Sequence, residues 1–185
     1  MVLPKTGIEG CGIVPIPTNP DGRGYLQELY RQSWPGAFPA VQWNAVVSKA
    51  GVVRGTHVHV SYDEFYTLPQ GRVLLGLADI RRASPTYRKS EQFEWSADHG
   101  FAVVVPVGVA HTILFKEDSV LLFGLSGYWS AQEEAGCQWD AAELGFVWPA
   151  GQVVRSERDV TAGSYAAMLQ RYEALALAGK AAHRP

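Results

Sequence analysis

The sequence predicts an all-β fold, a barrel or sandwich, followed by one helix at the C-terminal end. Glycine (19) and proline (11) make up about a sixth of the 185 residues, and six tryptophans accompany them. This combination of many turns with many bulky side chains is typical of β-rich proteins. Apolar stretches recur at roughly ten-residue spacing from about residue 41 to 130, which is the pattern of a sandwich or barrel. The tail then changes to helical spacing.

Eight apolar stretches between residues 41 and 130 are each interpreted as a strand. They are VQWNAVVS, GVVRGTHVHV, DEFYTLP, GRVLLGLADI, EQFEWS, GFAVVVPVG, HTILF and SVLLFGLSG. Some are apolar on both faces, so we expect barrel interior on one side and a second layer or subunit on the other. The Gly- and Pro-rich segment 1–24 ends in a turn signal, NPDGRG. The stretch from Tyr25 to Gln32 fits either a short strand or a helical turn.

The C-terminal segment is predicted to be one amphipathic helix. Its apolar side chains recur at helical spacing from Val160 onward. They are Tyr165, Met168, Leu169, Tyr172 and Leu175. We therefore divide the chain into a barrel over residues 1–159 and a helix over residues 160–185 that lies on the barrel or on a partner subunit.

Composition excludes several classes of protein. Sixteen Lys and Arg residues against eighteen Asp and Glu residues give a net charge of −2, so neither nucleic acid nor a membrane surface is an expected partner. Cys11 and Cys137 lie far apart and form no CxxC motif, which indicates free thiols in a reducing compartment. The N-terminus lacks the apolar core of a signal peptide, and no apolar run is long enough to span a bilayer. We expect a cytoplasmic protein.

Three histidines and a glutamate form a candidate metal site. His57 and His59 are separated by one residue on a predicted strand, so their side chains project from the same face. Glu64 begins the next apolar stretch, and His111 follows a turn after a buried strand. Nitrogen and oxygen donors of this kind suit a divalent transition metal such as Fe, Mn, Ni, Cu or Zn. The alternative is that these histidines are hydrogen-bonded core residues.

Two segments of the sequence resemble the conserved motifs of the cupin superfamily. GTHVHVSYDEFYTLPQG at 55–71 has the form of the first motif, and GFAVVVPVGVAH at 100–111 has the form of the second. The resemblance implies a double-stranded β-helix, or jelly-roll, barrel. It also implies that His57, His59 and Glu64, together with the histidine that ends the second segment, His111, are metal ligands.

A larger part of the chain, from about residue 8 to 159, resembles one branch of that superfamily, the dTDP-4-dehydrorhamnose 3,5-epimerases. The matching segments occur in the family's order. They are NPDGRGYLQE (19–28), VQWNAVVSKAGVVRGTHV (41–58), GRVLLGLADIRRASPTY (71–87), VPVGVAHTIL (105–114) and GYWSAQEEAGCQWDAAELGFVWP (127–149). The resemblance implies an isomerase of deoxysugar biosynthesis without an organic cofactor. It also implies a homodimer whose barrels pair through an N-terminal strand arm.

The family's reaction explains the residue types. A 4-keto group acidifies the protons at C3 and C5 of a sugar attached to dTDP, so a base forms an enolate and a proton returns on the opposite face. The resemblance implies that the base is His57 and that Asp159 orients it, although Asp159 could also be a helix N-cap.

The resemblance also assigns the residues that hold the nucleotide. Arginines match the oxygens of a pyrophosphate, and Arg23 and Arg54 occupy the corresponding positions, with a surface role as the alternative for Arg23. Tyr128 or Trp129 could stack on the base or could belong to the core. The remaining positions implied to contact the nucleotide are Glu28, Gln42 and Asn44. Arg81 and Arg82 are expected to stabilise a barrel edge or a dimer surface.

Two positions depart from the family's pattern. Phe123 stands where the family has the tyrosine that acts as the acid, and phenylalanine has no exchangeable proton. Glu64 stands where the family has a lysine that stabilises the enolate, and a carboxylate would repel that charge. A metal could replace the lysine. However, His57 cannot be a metal ligand and the base at once, and the sequence does not decide between these roles.

Three functional hypotheses follow from these observations. The first is an epimerase-like isomerase acting on a 4-keto-6-deoxy nucleotide sugar, either metal-assisted or not. The second is a metal-dependent cupin enzyme, an oxygenase or lyase, that acts on another small molecule. The third is a non-catalytic cupin that binds a sugar.

Overall fold

The structure, a computed structural model, describes residues 5–182 and consists mainly of antiparallel β-strands. The strands are β1 (Gly12–Pro15), β2 (Thr18–Asp21), β3 (Gly24–Gln27), β4 (Gln42–Ser48), β5 (Val53–His59), β6 (Glu64–Gln70), β7 (Arg72–Asp79), β8 (Ser90–Ser96), β9 (Phe101–Val105), β10 (Val109–Phe115), β11 (Ser119–Leu125) and β12 (Glu134–Gly136). Two α-helices of the described chain follow, the short α1 (Glu157–Val160) and the long α2 (Tyr165–Ala182). The ends of the predicted barrel and tail, residues 1–4 and 183–185, lie outside the described residues.

Two five-stranded sheets form the barrel. The first sheet has the order β1-β9-β6-β11-β4, and the second has the order β12-β5-β10-β7-β8. Strands that are distant in the chain are neighbours in each sheet, which is the jelly-roll arrangement. The predicted fold class, a jelly-roll barrel with a C-terminal helix, is confirmed.

The predicted strands and the observed strands agree closely within the barrel. All eight predicted stretches form strands, β4 to β11. The stretch from Tyr25 to Gln32 is extended only at its start, where β3 (Gly24–Gln27) pairs with β2 in a hairpin that joins neither main sheet. Three further strands, β1, β2 and β12, lie in segments whose residue pattern did not indicate a strand, although the resemblance implied a strand near the N-terminus. Each is short, so the alternation that reveals longer strands is absent from them.

The core fills the space between the two sheets. Its largest fully buried side chains include Trp95, Phe115 and Leu75. The strands that are apolar on both faces are covered from outside by the same chain. Tyr30, Trp34 and Phe38 from the segment after β3 lie over β9 and β6, where they meet Phe65, Ala102 and Val104.

Helix α2 covers the outer face of the second sheet. Met168 is fully buried there, and Tyr165, Leu169 and Tyr172 pack around it. The helix begins at Tyr165 rather than at Val160, because a short separate helix, α1, precedes it. Within the described chain, no helix combines the length and the apolar character needed to cross a bilayer.

A buried carboxylate fixes the loop between β7 and β8. Asp79 accepts hydrogen bonds from the backbone and guanidinium of Arg81, and from the hydroxyls of Ser84 and Thr86. Arg82 instead pairs with Glu173 on α2. Arg81 therefore fixes a loop at the barrel edge, one of the two roles expected from the sequence, whereas Arg82 makes an exposed contact with α2.

Candidate active site

A cavity of about 390 Å³ lies between the two sheets and opens to solvent. Side chains from both sheets and from the segment before α2 line it. They are Val46, Arg54, His57, His59, Glu64, Tyr66, His111, Ile113, Leu121, Phe123, Trp129, Glu134, Ser156, Arg158 and Asp159. Most of the functional residues singled out by the sequence therefore meet in one place, although they are spread over a hundred positions of the chain.

One wall of the cavity carries a histidine–aspartate pair. His57 on β5 lies opposite His111 on β10 in the register of the second sheet. The Nε2 atom of His57 lies 2.7 Å from Oδ1 of Asp159. A carboxylate only accepts hydrogen bonds, so the contact with Asp159 requires a proton on Nε2 of His57. Such a pair is suited to remove a proton from a substrate.

Helix α1 positions the carboxylate of this pair. The hydroxyl of Ser156 accepts a hydrogen bond from the backbone N–H of Asp159 and caps α1. Asp159 therefore lies inside this helix, and the alternative that it is itself an N-cap is wrong. Burial favours a higher pKa for Asp159, but the hydrogen bond and charge of His57, with smaller contributions from Ser156 and Arg158, together keep that pKa below its usual value.

An arginine at the opening of the cavity contacts the same pair. The guanidinium of Arg158 lies 2.6 Å from Oε1 of Glu134 on β12, and its Nη2 lies 2.7 Å from Nε2 and 3.4 Å from Nδ1 of His57. Neither Arg158 nor Glu134 was among the residues predicted from the sequence. The only signal for Arg158 was its position beside Asp159 in the RSERD segment, whereas Glu134 gave none.

Two imidazoles and a carboxylate converge deeper in the cavity. Oε1 of Glu64 lies 3.5 Å from Nε2 of His59, and Oε2 lies 3.3 Å from Nε2 of His111. One potential ligand atom of each residue lies within 4.8 Å of the others, and all three residues are buried. Oε2 of Glu64 has no hydrogen-bond partner within the described chain. We call this group the His59–Glu64–His111 cluster.

Hydrogen bonds on the far side of each imidazole orient the cluster. The hydroxyl of Tyr62 lies 2.7 Å from Nδ1 of His59, and Nδ1 of His111 lies 3.3 Å from the carbonyl of Val109. The Nε2 atoms therefore face the carboxylate, which is the arrangement of histidines that hold a metal. Burial lowers the pKa of His111 to about 4, so this ring is neutral near pH 7.

The cluster differs from the four-ligand set predicted from the sequence. His59, Glu64 and His111 meet, but His57 is held by Asp159 and does not belong to the cluster. The reason is geometric. His57 and His59 share one face of β5. However, Asp159 on α1 binds the ring of His57, whereas Glu64 on β6 faces the ring of His59.

The wall opposite His57 consists of residues from the first sheet. Tyr66 on β6 and Phe123 on β11 are direct partners in the register, and their ring centroids are 5.7 Å apart. Tyr66 is buried, and Glu64 lies beside its hydroxyl. Burial, followed by the neighbouring carboxylate, raises the pKa of Tyr66 well above its usual value. Tyr66 was missed in the sequence because the resemblance directs attention to position 123.

Some of the predicted nucleotide contacts lie at the cavity. Arg54 and Trp129 line it. Gln42 and Asn44 alternate along β4 with the cavity residue Val46, so they lie on the same face of that strand. The amide of Gln42 donates to Oδ1 of Asn44 at 3.1 Å and accepts from the backbone N–H of Trp129 at 3.0 Å.

Three of the predicted contacts lie away from the cavity of their own chain. Arg23 is in the turn of the β2–β3 hairpin, 91% of its side chain is exposed, and it pairs with Asp21. Glu28 pairs with Arg31. Tyr128 is 75% exposed and does not reach the core, so the alternative that it is a core residue is wrong.

The fold and the site together define a jelly-roll barrel with an acid–base pair in its interior. A family model described as dTDP-4-dehydrorhamnose 3,5-epimerase matches residues 5–167. The dTDP-4-dehydrorhamnose 3,5-epimerase of Streptomyces griseus is 36% identical over 161 residues, which cover 82% of this chain and 80% of that protein. The chain belongs to the dTDP-4-dehydrorhamnose 3,5-epimerase family.

Solved structures agree with this assignment. The 4-keto-6-deoxy sugar epimerase from the novobiocin biosynthetic gene cluster of Streptomyces spheroides is 28% identical, with a TM-score of 0.79, and the match covers 98% of this chain and 90% of that chain. A 3'-monoepimerase from Streptomyces bikiniensis in complex with dTDP-quinovose is 25% identical, with a TM-score of 0.79. That match covers 94% of this chain and 96% of the epimerase.

Proposed function

We propose that this protein is an isomerase that epimerises a 4-keto-6-deoxy sugar carried on dTDP, in deoxysugar biosynthesis. The observation that carries the proposal is the hydrogen bond between His57 and Asp159 inside the barrel of this family. Among its relatives, the Streptomyces bikiniensis epimerase binds dTDP-quinovose, a sugar on the same nucleotide.

The reaction begins with proton removal. A 4-keto group makes the hydrogen on the adjacent carbon acidic, and Nδ1 of His57 accepts that proton while Asp159 holds Nε2–H and stabilises the imidazolium. The electron pair of the C–H bond moves to the keto oxygen and forms an enolate. Arg54 and Arg158 line the same cavity, where their positive charges favour an anionic nucleotide or enolate.

Solvent exchange tests the function directly. The protein is incubated with dTDP-4-keto-6-deoxyglucose in D₂O, and deuterium at C3 and C5 is followed by NMR. We expect deuterium to enter at one or both carbons together with inversion of configuration, because the base exchanges its proton with solvent. If dTDP stabilises the fold against heat but no 4-keto sugar acquires deuterium, the protein is a sugar-nucleotide-binding cupin instead.

We further propose that the His59–Glu64–His111 cluster holds a divalent transition metal. The fit rests on the orphaned, buried Oε2 of Glu64 and on the two Nε2 atoms that face the carboxylate. Two imidazoles and one carboxylate suit Fe(II), Mn(II), Ni(II), Cu(II) or Zn(II). When bound, such an ion supplies a Lewis acid that polarises a carbonyl oxygen. The same cluster is the observation that favours the second candidate, a metal-dependent oxygenase or lyase.

Metal analysis distinguishes the three-residue cluster from the four-ligand set. In protein purified without chelators we expect about one transition metal per chain, and we expect Glu64→Gln to lose it, because the carboxylate contributes both charge and a ligand atom. His57→Asn is the matched control and is expected to keep the metal. The readouts are elemental analysis, the absorption spectrum of the Co(II)-loaded protein and the melting temperature after chelation. Metal-free protein whose melting curve is unchanged by chelator would contradict the proposal. Loss of metal in His57→Asn would show that His57 is a fourth ligand, as the sequence predicted.

We also propose a cytoplasmic homodimer. The β2–β3 hairpin pairs with neither main sheet and exposes Tyr25 and Leu26, and Arg23 at its turn does not line the cavity of its own chain. A second copy would cover the apolar side chains and give Arg23 a phosphate to bind. The free thiols of Cys11 and Cys137 suit a reducing cytoplasm. Sedimentation equilibrium tests the dimer, and a monomer at micromolar concentration would refute it.

A further inference from the structure

Inversion at a carbon atom needs a proton donor on the face opposite the base. In the proposed reaction the base, His57, belongs to β5 in the second sheet. The cavity lies between the two sheets, so for a substrate bound there the first sheet is the wall that faces away from His57. The described cavity residues on that sheet come from β4, β6 and β11.

Few of these residues can donate a proton. The side chains on that wall are Val46, Glu64, Tyr66, Leu121 and Phe123. Val46, Leu121 and Phe123 are hydrocarbons. The carboxylate oxygens of Glu64 face the imidazoles of the His59–Glu64–His111 cluster, 3.5 and 3.3 Å away. Among the described residues of this wall, Tyr66 therefore carries the one hydroxyl.

The register of the first sheet relates Tyr66 to the position where the resemblance places an acid. Tyr66 on β6 and Phe123 on β11 are paired residues on adjacent strands, and their rings are in contact. Paired residues of antiparallel strands project from the same face of the sheet, so both side chains line the same part of the cavity wall, with the Tyr66 hydroxyl beside Glu64. We propose that Tyr66 donates the proton to the enolate in this protein, taking the role that Phe123 cannot perform. This inference rests on the proposed epimerase function and adds a second catalytic residue to it.

The proton balance of the step is simple. His57 takes the proton from one face of the carbon and becomes imidazolium, and the electron pair passes to the keto oxygen. When the enolate collapses, its electron pair forms a new C–H bond with the proton of the Tyr66 hydroxyl on the other face. The O–H electron pair stays on oxygen as phenolate. After the product leaves, Tyr66 regains a proton from water and His57 loses its proton to water, so both return to their starting states.

Separating exchange from inversion tests the proposal. In Tyr66→Phe, His57 can still remove and return a proton on its own face, so deuterium should enter the substrate with retention of configuration. The rate of exchange is expected to stay within about tenfold of the wild type, whereas formation of the inverted product should fall by about 10²-fold or more. The readouts are deuterium content and configuration, both from NMR of the same sample.

A second variant keeps the test independent of folding. Tyr66→Phe removes one oxygen atom and leaves the ring contact in place, and the double variant Tyr66→Phe/Phe123→Tyr restores a hydroxyl on the partner strand. We expect the double variant to recover inverted product by about tenfold over the single variant. Tyr172→Phe on α2, remote from the cavity, is the matched control for loss of a partly buried hydroxyl and should behave like the wild type.

Each outcome decides the proposal. Exchange without inversion in Tyr66→Phe, together with recovery in the double variant, supports it. Inversion within about threefold of the wild type in Tyr66→Phe overturns it, as does equal loss of exchange and inversion in a folded variant that binds dTDP. If Tyr66→Phe does not fold, failure of a folded double variant to invert the substrate overturns the proposal. A wild-type protein that exchanges nothing instead refutes the proposed function itself.

Discussion

His57→Asn is expected to lower kcat for epimerisation by about 10²- to 10⁴-fold, the range that a positioned general base contributes. The asparagine keeps a polar side chain of similar size but cannot accept a proton near pH 7. Substrate binding should change little, because the substitution removes a group that acts in the transition state. The measurement is kcat and KM by NMR, together with deuterium exchange at C3 and C5, which should fall in parallel.

Asp159→Asn serves as a second arm of this experiment. The amide cannot stabilise an imidazolium and no longer enforces a proton on Nε2 of His57, so kcat should fall by about 10²-fold with an intact fold. His99→Asn is the control, since His99 lies on a short turn outside the cavity. A kcat for His57→Asn within about tenfold of the wild type would show that another group is the base.

Asp79→Asn is expected to lower the free energy of unfolding by about 3 kcal/mol, because it removes one partner of a buried ion pair. The Asp79 side chain is fully buried and accepts hydrogen bonds from Arg81, Ser84 and Thr86. The neutral amide leaves the guanidinium of Arg81 uncompensated. Urea denaturation followed by circular dichroism measures the change as a shift of the midpoint at constant m-value.

The same carboxylate predicts how stability depends on acid pH. Hydrogen bonds from Arg81, Ser84 and Thr86 oppose the effect of burial and lower the pKa of Asp79 to about 2, from an ordinary value of 3.8. The folded-state pKa is the lower one, so the contribution is fully present above about pH 4 and is lost as the pH falls towards 2. Asp79→Asn should remove this part of the acid-induced loss.

The neighbouring surface ion pair provides the control. Arg82 pairs with Glu173 in the same region, but 67% of its side chain is exposed. Arg82→Ala should therefore change the free energy of unfolding by less than about 1 kcal/mol. If Asp79→Asn were no more destabilising than Arg82→Ala, the buried carboxylate would not be what fixes this loop.

The sequence predicted the barrel because its strands are long and apolar. Stretches such as FAVVVPV and VLLFGL indicate buried strands from the local sequence alone, without knowledge of the neighbouring strands. The short strands β2 and β12 were missed, because four or three residues are too few for an alternating pattern. Helix α2 was predicted from its spacing, but its start was placed too early because the polar turn around Gly163 does not interrupt the apolar pattern of the helix that follows.

The site was predictable only where spacing fixes geometry. Two histidines at i and i+2 on one strand had to share a face, and His57 and His59 do line one cavity. Spacing did not show which carboxylate each ring would meet, since Glu64 and Asp159 arrive from different elements. Tyr66 could not be identified either, because its relation to Phe123 depends on which strands are neighbours in the sheet.

The carboxylate that orients His57 lies 102 positions further along the chain, beyond the last strand of the barrel. A ribosome has therefore released every strand before the base acquires its partner. A chain that stops before Ser156, through premature termination or proteolysis, would carry the histidine and most of the cavity without the aspartate that makes it a base. Full catalytic activity thus depends on synthesis of the chain at least as far as Asp159.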